Sequence, residues 1–193
     1  MSITALGKIA AVVLLGAGLS ACVDVTVDVA LTSETTARAT TTMVMGAEFH
    51  AMMTAGGDAF CGKGVASQTK DGGSSCVLAS EGPFAGLVLG TSDPLPVTFT
   101  PQGPGLIRVA VTSAVIEEEA GDQHAMDAET EQMMQAFVAG RKITIRFGGA
   151  VVTDTNMTLS ADKTSAQTVI PMLDLMQDKA KLPEEFYAVV RVP

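Results

Sequence analysis

The chain has 193 residues, with 21 acidic against 12 basic and a formal net charge of −9. Such a surface is repelled by nucleic acid and by bare anionic lipid, and no run of Lys and Arg along the chain offsets it, which excludes nucleic-acid binding. The lack of tryptophan, with Tyr187 as the one tyrosine, argues against a glycosidase cleft that stacks sugars on aromatic rings.

Lys8 and the amino terminus form a short positive region, and Ile9–Leu19 is an apolar run of 11 residues. A membrane-spanning helix needs about 20 residues to cross roughly 30 Å of hydrocarbon. The shorter run predicts a secretory leader over residues 1–21. Leu19-Ser20-Ala21-Cys22 resembles the lipobox of bacterial lipoproteins. That resemblance implies a diacylglyceryl thioether on Cys22, cleavage before it, and acylation of the new amino terminus, palmitate being the ordinary chain. One acyl chain anchors only marginally, at about 0.8 kcal/mol per buried CH₂, whereas two or three hold firmly. The alternative is an ordinary secretory leader followed by a chance cysteine. The resemblance also implies an outer-membrane location where the cell has two membranes, because Val23 and not an aspartate follows Cys22. The predicted organisation is a leader, 1–21, and a single extracytoplasmic lipid-anchored domain, 22–193, with two small domains as the alternative. After the leader, which holds Lys8 and no acid, the net charge is −10.

Val23, Val25, Val27, Val29 and Leu31 alternate with Asp24, Thr26, Asp28 and Ala30, the period of a strand with one buried face. Ser33-Glu34-Thr35 predicts a turn, and the threonine-rich Thr36–Met45 a returning strand. Residues 47–54 have helical composition, stopped by Gly56-Gly57. With Cys22 lipidated, Cys61 and Cys76 remain, and outside the cytoplasm such a pair predicts a disulfide; two free thiols are the alternative. Closing this loop stabilises the fold by roughly 3 kcal/mol. Cys76–Ala79 predicts a short strand, and Gly82-Pro83 opens a short helix or turn through Leu89.

Val97–Thr100 and Leu106–Val115 predict strands about the turn Pro101–Gly105. Residues 117–131 carry Glu117, Glu118, Glu119, Asp122, Asp127, Glu129 and Glu131, and predict a solvated acidic loop leading into a helix. Asp127 caps that helix, 128–139, and Gly140 ends it. Lys142–Phe147 alternates again. Val151–Leu159 and Gln167–Ile170 predict strands flanking the turn Ser160–Lys163, with a short helix at 172–178 and a closing strand, Phe186–Val192. Strands in hairpins with helices between them predict an α+β fold, a mainly antiparallel sheet with inserted short helices packed on it.

The strand and turn pattern of Val23–Met45, and of Ile143–Ile170 with Phe147-Gly148-Gly149, Asn156 and the strand after Lys163, resembles the LppM-like bacterial lipoproteins over about a third of the chain. The resemblance implies an extracytoplasmic, lipid-anchored α+β domain, and carries no catalytic residues.

No G-x-S-x-G elbow or phosphate-binding G-x-x-x-x-G-K-[ST] loop is present, and neither histidine has a nucleophile near it in sequence. His50, Met52, His124 and Met126 form two His-x-Met patterns, a soft ligand set suited to Cu(I). Positions two apart on a helix face different directions, however, and methionine is an ordinary core filler, so core methionines with surface histidines are the alternative. The acidic segment lacks the D-x-D-x-D-G spacing of a calcium loop. The expectation is a non-enzymatic envelope protein with no cofactor, anchored to a membrane through lipid and binding an envelope protein at its surface. A carrier of lipid or another apolar ligand is the alternative, and a copper-binding protein the next.

Overall fold

The computed structural model describes residues 23–48, 50–51, 61–87, 97–119, 132, 135–136, 138–177 and 179–193. The leader and Cys22 lie outside the described residues.

Alternation places Val27, Val29 and Leu31 on one side of β1 (Asp24–Leu31), all three buried, and Thr26, Asp28 and Ala30 on the other. The chain returns as β2 (Thr36–Met45), antiparallel to β1 from Asp24↔Val44 to Leu31↔Ala37. Ser33 shapes the turn between them, its Oγ accepting the Thr35 and Thr36 backbone N–H groups at 3.1 and 3.0 Å. The remaining strands are β3 (Val65–Gln68), β4 (Ser74–Pro83), β5 (Val97–Gly103), β6 (Leu106–Thr112), β7 (Lys142–Gly148), β8 (Val151–Thr155), β9 (Thr158–Leu159), β10 (Ser165–Pro171) and β11 (Glu185–Arg191). Two helices, α1 (Ser113–Glu119) and α2 (Met172–Met176), insert Ile116 and Leu175 into the core.

One sheet has seven strands in the order β3-β4-β2-β1-β7-β10-β9; the other has four, β5-β6-β11-β8. Every described pairing is antiparallel except β1 with β7, which run parallel from Val25↔Ile143 to Ala30↔Gly148. The inner faces of the two sheets share one cluster, with Phe147, Leu31 and Val29 from the first and Ile107, Val109 and Val190 from the second each under 2% exposed or at that level. Burying a side chain of this size contributes about 1.5–3 kcal/mol.

The chain passes between the sheets at Gly148-Gly149. A Cβ on Gly149 would lie 2.5 Å from Val190 Cγ1 and 3.3 Å from the Arg191 carbonyl oxygen, so only glycine lets β7 turn this closely over β11.

The expected α+β fold is corrected to a β-rich one. Among the described residues eleven strands form two sheets, while α1 and α2 have seven and five residues and make no layer of their own. Within the helices expected over 47–54 and 128–139, Ala47, Glu48, His50, Ala51, Gln132, Gln135, Ala136 and Val138 are helical, and most of the other positions lie outside the described residues. Three strand bounds also change. The strand expected through Val115 stops at Thr112, where Ser113 opens α1 and its backbone N–H donates to the Glu184 carbonyl at 3.0 Å. The expected strand Val151–Leu159 is two, with β8 in the four-stranded sheet and β9 in the seven-stranded one. The glycine-rich disulfide loop contains β3, and the strand after it runs ten residues rather than four.

Candidate functional site

The first described residue after Cys22 is Val23, and β1 begins at Asp24. The start of β1 is tied down at once. Asp24 Oδ2 accepts a hydrogen bond from Arg141 Nη1 at 3.2 Å, and Asp24 Oδ1 accepts the Lys142 backbone N–H at 3.1 Å. The two side chains are 29% and 21% exposed, so the pair is shielded from much of the solvent screening that weakens surface bridges. This contact joins residues 117 positions apart and fixes the end of the domain where the chain enters.

Cys61 and Cys76 form the expected disulfide, with an S–S distance of 2.06 Å and a Cα–Cα distance of 5.4 Å. Cys76 sits on β4 and is fully buried, and Cys61 is 9% exposed. Gly64 covers the bond: a Cβ there would stand 2.7 Å from Cys76 Sγ and 2.9 Å from Cys61 Sγ. The bridge holds β3 against β4 with Ala66 opposite Cys76.

Of the four residues singled out for copper, His50 lies in the helical turn after β2, its backbone N–H donating to the Gly46 carbonyl at 3.0 Å. Met52, His124 and Met126 lie outside the described residues. Among the described residues there is no group of three or more His, Cys, Asp or Glu side chains placed to hold a metal ion. The acidic stretch begins as the end of α1 through Glu119, and residues 120–131 lie outside the described residues.

Among the described residues, a polar cluster lies on the face of the four-stranded sheet turned away from the shared core. Arg108 on β6 meets Glu185 at the start of β11 through two hydrogen bonds, at 2.5 and 3.2 Å, and its guanidinium lies 4.3 Å from the centre of the Tyr187 ring. The Tyr187 hydroxyl donates to Asp154 on β8 at 3.2 Å. Asn156 clamps the same strand end, donating to the Glu185 carbonyl at 2.7 Å and accepting the Tyr187 backbone N–H at 2.9 Å. Bonding to Arg108 holds the Glu185 carboxyl below its usual range, and bonding to Glu185 raises Arg108. Donation to Asp154 pushes the Tyr187 phenol up. The contacts join β6, β8 and β11, so the cluster is a three-strand clasp. Sequence reasoning missed it. Alternation marks Arg108 as outward-facing, but nothing local brings it to residues 46–79 positions further on.

Two features quoted for the family resemblance have structural work here. Phe147-Gly148-Gly149 is the buried corner between the sheets, and Asn156 is the clamp just described. No helix among the described residues is long and apolar enough to cross a membrane.

No family model matches the chain, and no curated protein matches it in sequence. In structure the chain is similar to the folded domain of the Mycobacterium tuberculosis protein LppM, solved by NMR, at 12% identity and a TM-score of 0.45 over 88% of this chain and 90% of that one. LppM belongs to the group that Val23–Met45 and Ile143–Ile170 resemble in strand and turn pattern, and a likeness of this degree transfers no anchor, ligand or partner.

Proposed function

We propose that this chain is a cell-envelope lipoprotein, cut before Cys22, held on a membrane by acyl chains on that cysteine, and acting by binding an envelope protein at the membrane surface. The observation that carries the reading is the position of Leu19-Ser20-Ala21-Cys22, after an apolar run too short to span a bilayer and two residues before β1. The Cys61–Cys76 disulfide supports it, because such bonds persist in oxidising compartments outside the cytoplasm. Val23 after Cys22 supports the outer membrane in a cell with two. The domain acts by contact in this reading, with the cluster about Arg108 and Tyr187 joining strands.

The test is the intact mass of the protein extracted from membranes. The expected mass lacks residues 1–21 and gains a diacylglyceryl group, and Cys22→Ala abolishes both changes. A mature protein with an unmodified Cys22, or with a cut elsewhere, overturns the anchor. Crosslinking in intact cells, followed by purification, tests the second half: one envelope protein captured by the wild type and lost with Cys22→Ala is expected, and recovery of the monomer alone refutes it.

A further inference from the structure

Val23 alone separates Cys22 from β1, and β1 is the middle strand of the seven. It is paired on one side with β2 from Asp24↔Val44 and on the other with β7 from Val25↔Ile143. Val23 is half-buried, and Val25 packs against the shared core. Asp24 is bonded to the Arg141 side chain and to the Lys142 backbone N–H. Arg141 is itself held from three directions. Its backbone N–H donates to the Val138 carbonyl at 2.9 Å, its carbonyl accepts the Met172 N–H at 2.9 Å, and its side chain reaches Asp24. Freeing the first residues of β1 from the folded domain therefore breaks the ends of two ladders and a half-buried ion pair together. A peptidase takes its substrate as an open segment with residues on both sides of the cut bond, and cutting a folded chain waits on local opening. For a bond between Ala21 and Cys22 that segment runs into β1. An extended chain covers about 3.3–3.6 Å per residue, so a domain folded about Asp24 stands within about 7 Å of Cys22 and crowds any enzyme that acts there.

We propose that acylation and cleavage at Cys22 come before β1 docks on β7, and that folding then closes the processing site. The inference rests on the lipid-anchored reading above. In that chemistry the Cys22 sulfur bonds to a glyceryl carbon of a phospholipid, and the headgroup leaves as a phosphate ester with the thiol proton. Water then splits the Ala21–Cys22 peptide bond into a carboxylate and an amine. The topology supplies the delay that this order needs. Arg141 and Lys142 follow Asp24 by 117 and 118 residues. At synthesis rates of about 5–20 residues per second they appear about 6–24 s after it. The hairpin of β1 with β2 forms in about 1–10 μs, but two strands alone are only marginally stable in water. The start of β1 therefore stays open until β7 arrives to pair with it.

The test uses the full-length precursor, unfolded in urea and diluted into mild detergent. Phospholipid vesicles carrying a lipoprotein diacylglyceryl transferase and signal peptidase are added at once or after increasing delays, and intact mass reads conversion. Conversion is expected to fall several-fold with delay, in step with the return of the β-sheet signal in circular dichroism. A second precursor carries a flexible spacer of about ten Gly and Ser residues between Val23 and Asp24, which reaches about 16–19 Å. It should convert equally at every delay. Wild-type conversion that is independent of delay, in a chain that has folded, overturns the order. A spacer precursor that loses conversion as steeply as the wild type also overturns it, because the block then lies away from the start of β1. Asp24→Ala removes both bonds at the strand end and is the milder probe. It should convert like the wild type without delay and several-fold more than the wild type after folding; no gain counts against the lock. Absence of conversion at zero delay, in the wild type and the spacer precursor alike, defeats the lipid-anchored reading and the inference with it.

Discussion

Gly64 and Glu185 show how single positions set the local stability of this protein. The Cys61–Cys76 bond closes a loop with a sequence separation of 15, so the variant Cys61→Ala/Cys76→Ala is expected to lose about 3 kcal/mol in urea unfolding. Gly64→Ala in the oxidised protein forces a Cβ to within 2.7 Å of one sulfur and 2.9 Å of the other. Overpacking of this kind costs about 1–3 kcal/mol. In the background without both cysteines the same change should cost less, because both sulfurs are gone and only the Val77 carbonyl oxygen, 3.0 Å from such a Cβ, remains; an equal cost in both backgrounds would show that Gly64 serves its turn and not the bridge. The Arg108–Glu185 pair predicts a pH effect of definite sign. Arg108 holds the Glu185 carboxyl below its usual range. The pair's stabilisation is therefore complete above the unfolded carboxylate range and is lost as pH falls through the lowered folded value. Both side chains are partly exposed, at 24% and 40%, which limits the contribution to about 0.5 kcal/mol. Glu185→Gln should lower neutral stability by that amount and flatten the acid limb of the stability curve. An acid limb identical to that of the wild type would refute the assignment.

Among the elements, the corner from β7 to β8 carries the sharpest expectation. Gly149→Ala places a methyl group 2.5 Å from Val190 Cγ1, and Val190 is fully buried and has no room to move aside. A loss of about 1–3 kcal/mol is expected. Val190→Ala alone leaves a cavity and also destabilises, but the double variant should lose less than the sum of the two, as measured by a thermal or denaturant cycle. Strict additivity would place the strain elsewhere. The elements themselves were legible where chemistry is local. Alternating valines mark β1, alternation of Ile107, Val109 and Val111 marks β6, and Ile143 with Ile145 marks β7. Ser33, and Asp162 between Ser160 and Thr164, mark their turns by bonding their own backbone, as hydrogen bonds of 3.0 and 3.1 Å to Thr36 and Thr164 confirm. Strands without an apolar period, such as β3 (Val65-Ala66-Ser67-Gln68) and the ends of β4, are formed by pairing with a neighbour and by the disulfide. The break between β8 and β9 has only Asn156 as a local signal, and the bend is held by the Thr155 hydroxyl, which donates to the Tyr187 carbonyl at 2.6 Å and accepts the Met157 N–H at 3.0 Å.

The order of strands in the sheets is what no local pattern records. β1 and β7 lie side by side although their paired residues are 118 positions apart, and a parallel pair leaves no turn to announce it. That one pairing joins the hairpin after Cys22 to the second half of the chain, and β7 then passes through Gly149 into the other sheet. It also explains why the contact of Asp24 with Arg141 and Lys142 was invisible in sequence: the two reach the start of β1 only because β7 runs parallel to it. The fold-class expectation failed for a related reason. Helical composition was given the weight of a layer, whereas the second layer is a sheet whose four strands come from positions 97–112, 151–155 and 185–191. With the two sheets sharing one core through Phe147, Val29, Val109 and Val190, neither can keep its apolar face covered without the other. The domain should therefore unfold in a single cooperative step. Phe147→Ala, in the seven-stranded sheet, is expected to cost about 3–5 kcal/mol, and Val109→Ala, in the four-stranded one, a smaller amount in keeping with its fewer methyl groups. Both should shift the same transition, with calorimetric and van 't Hoff enthalpies equal in each protein. If Val109→Ala instead splits the melt, leaving a second transition at the wild-type temperature, the sheets are separable units and the core they share is only a contact between two domains.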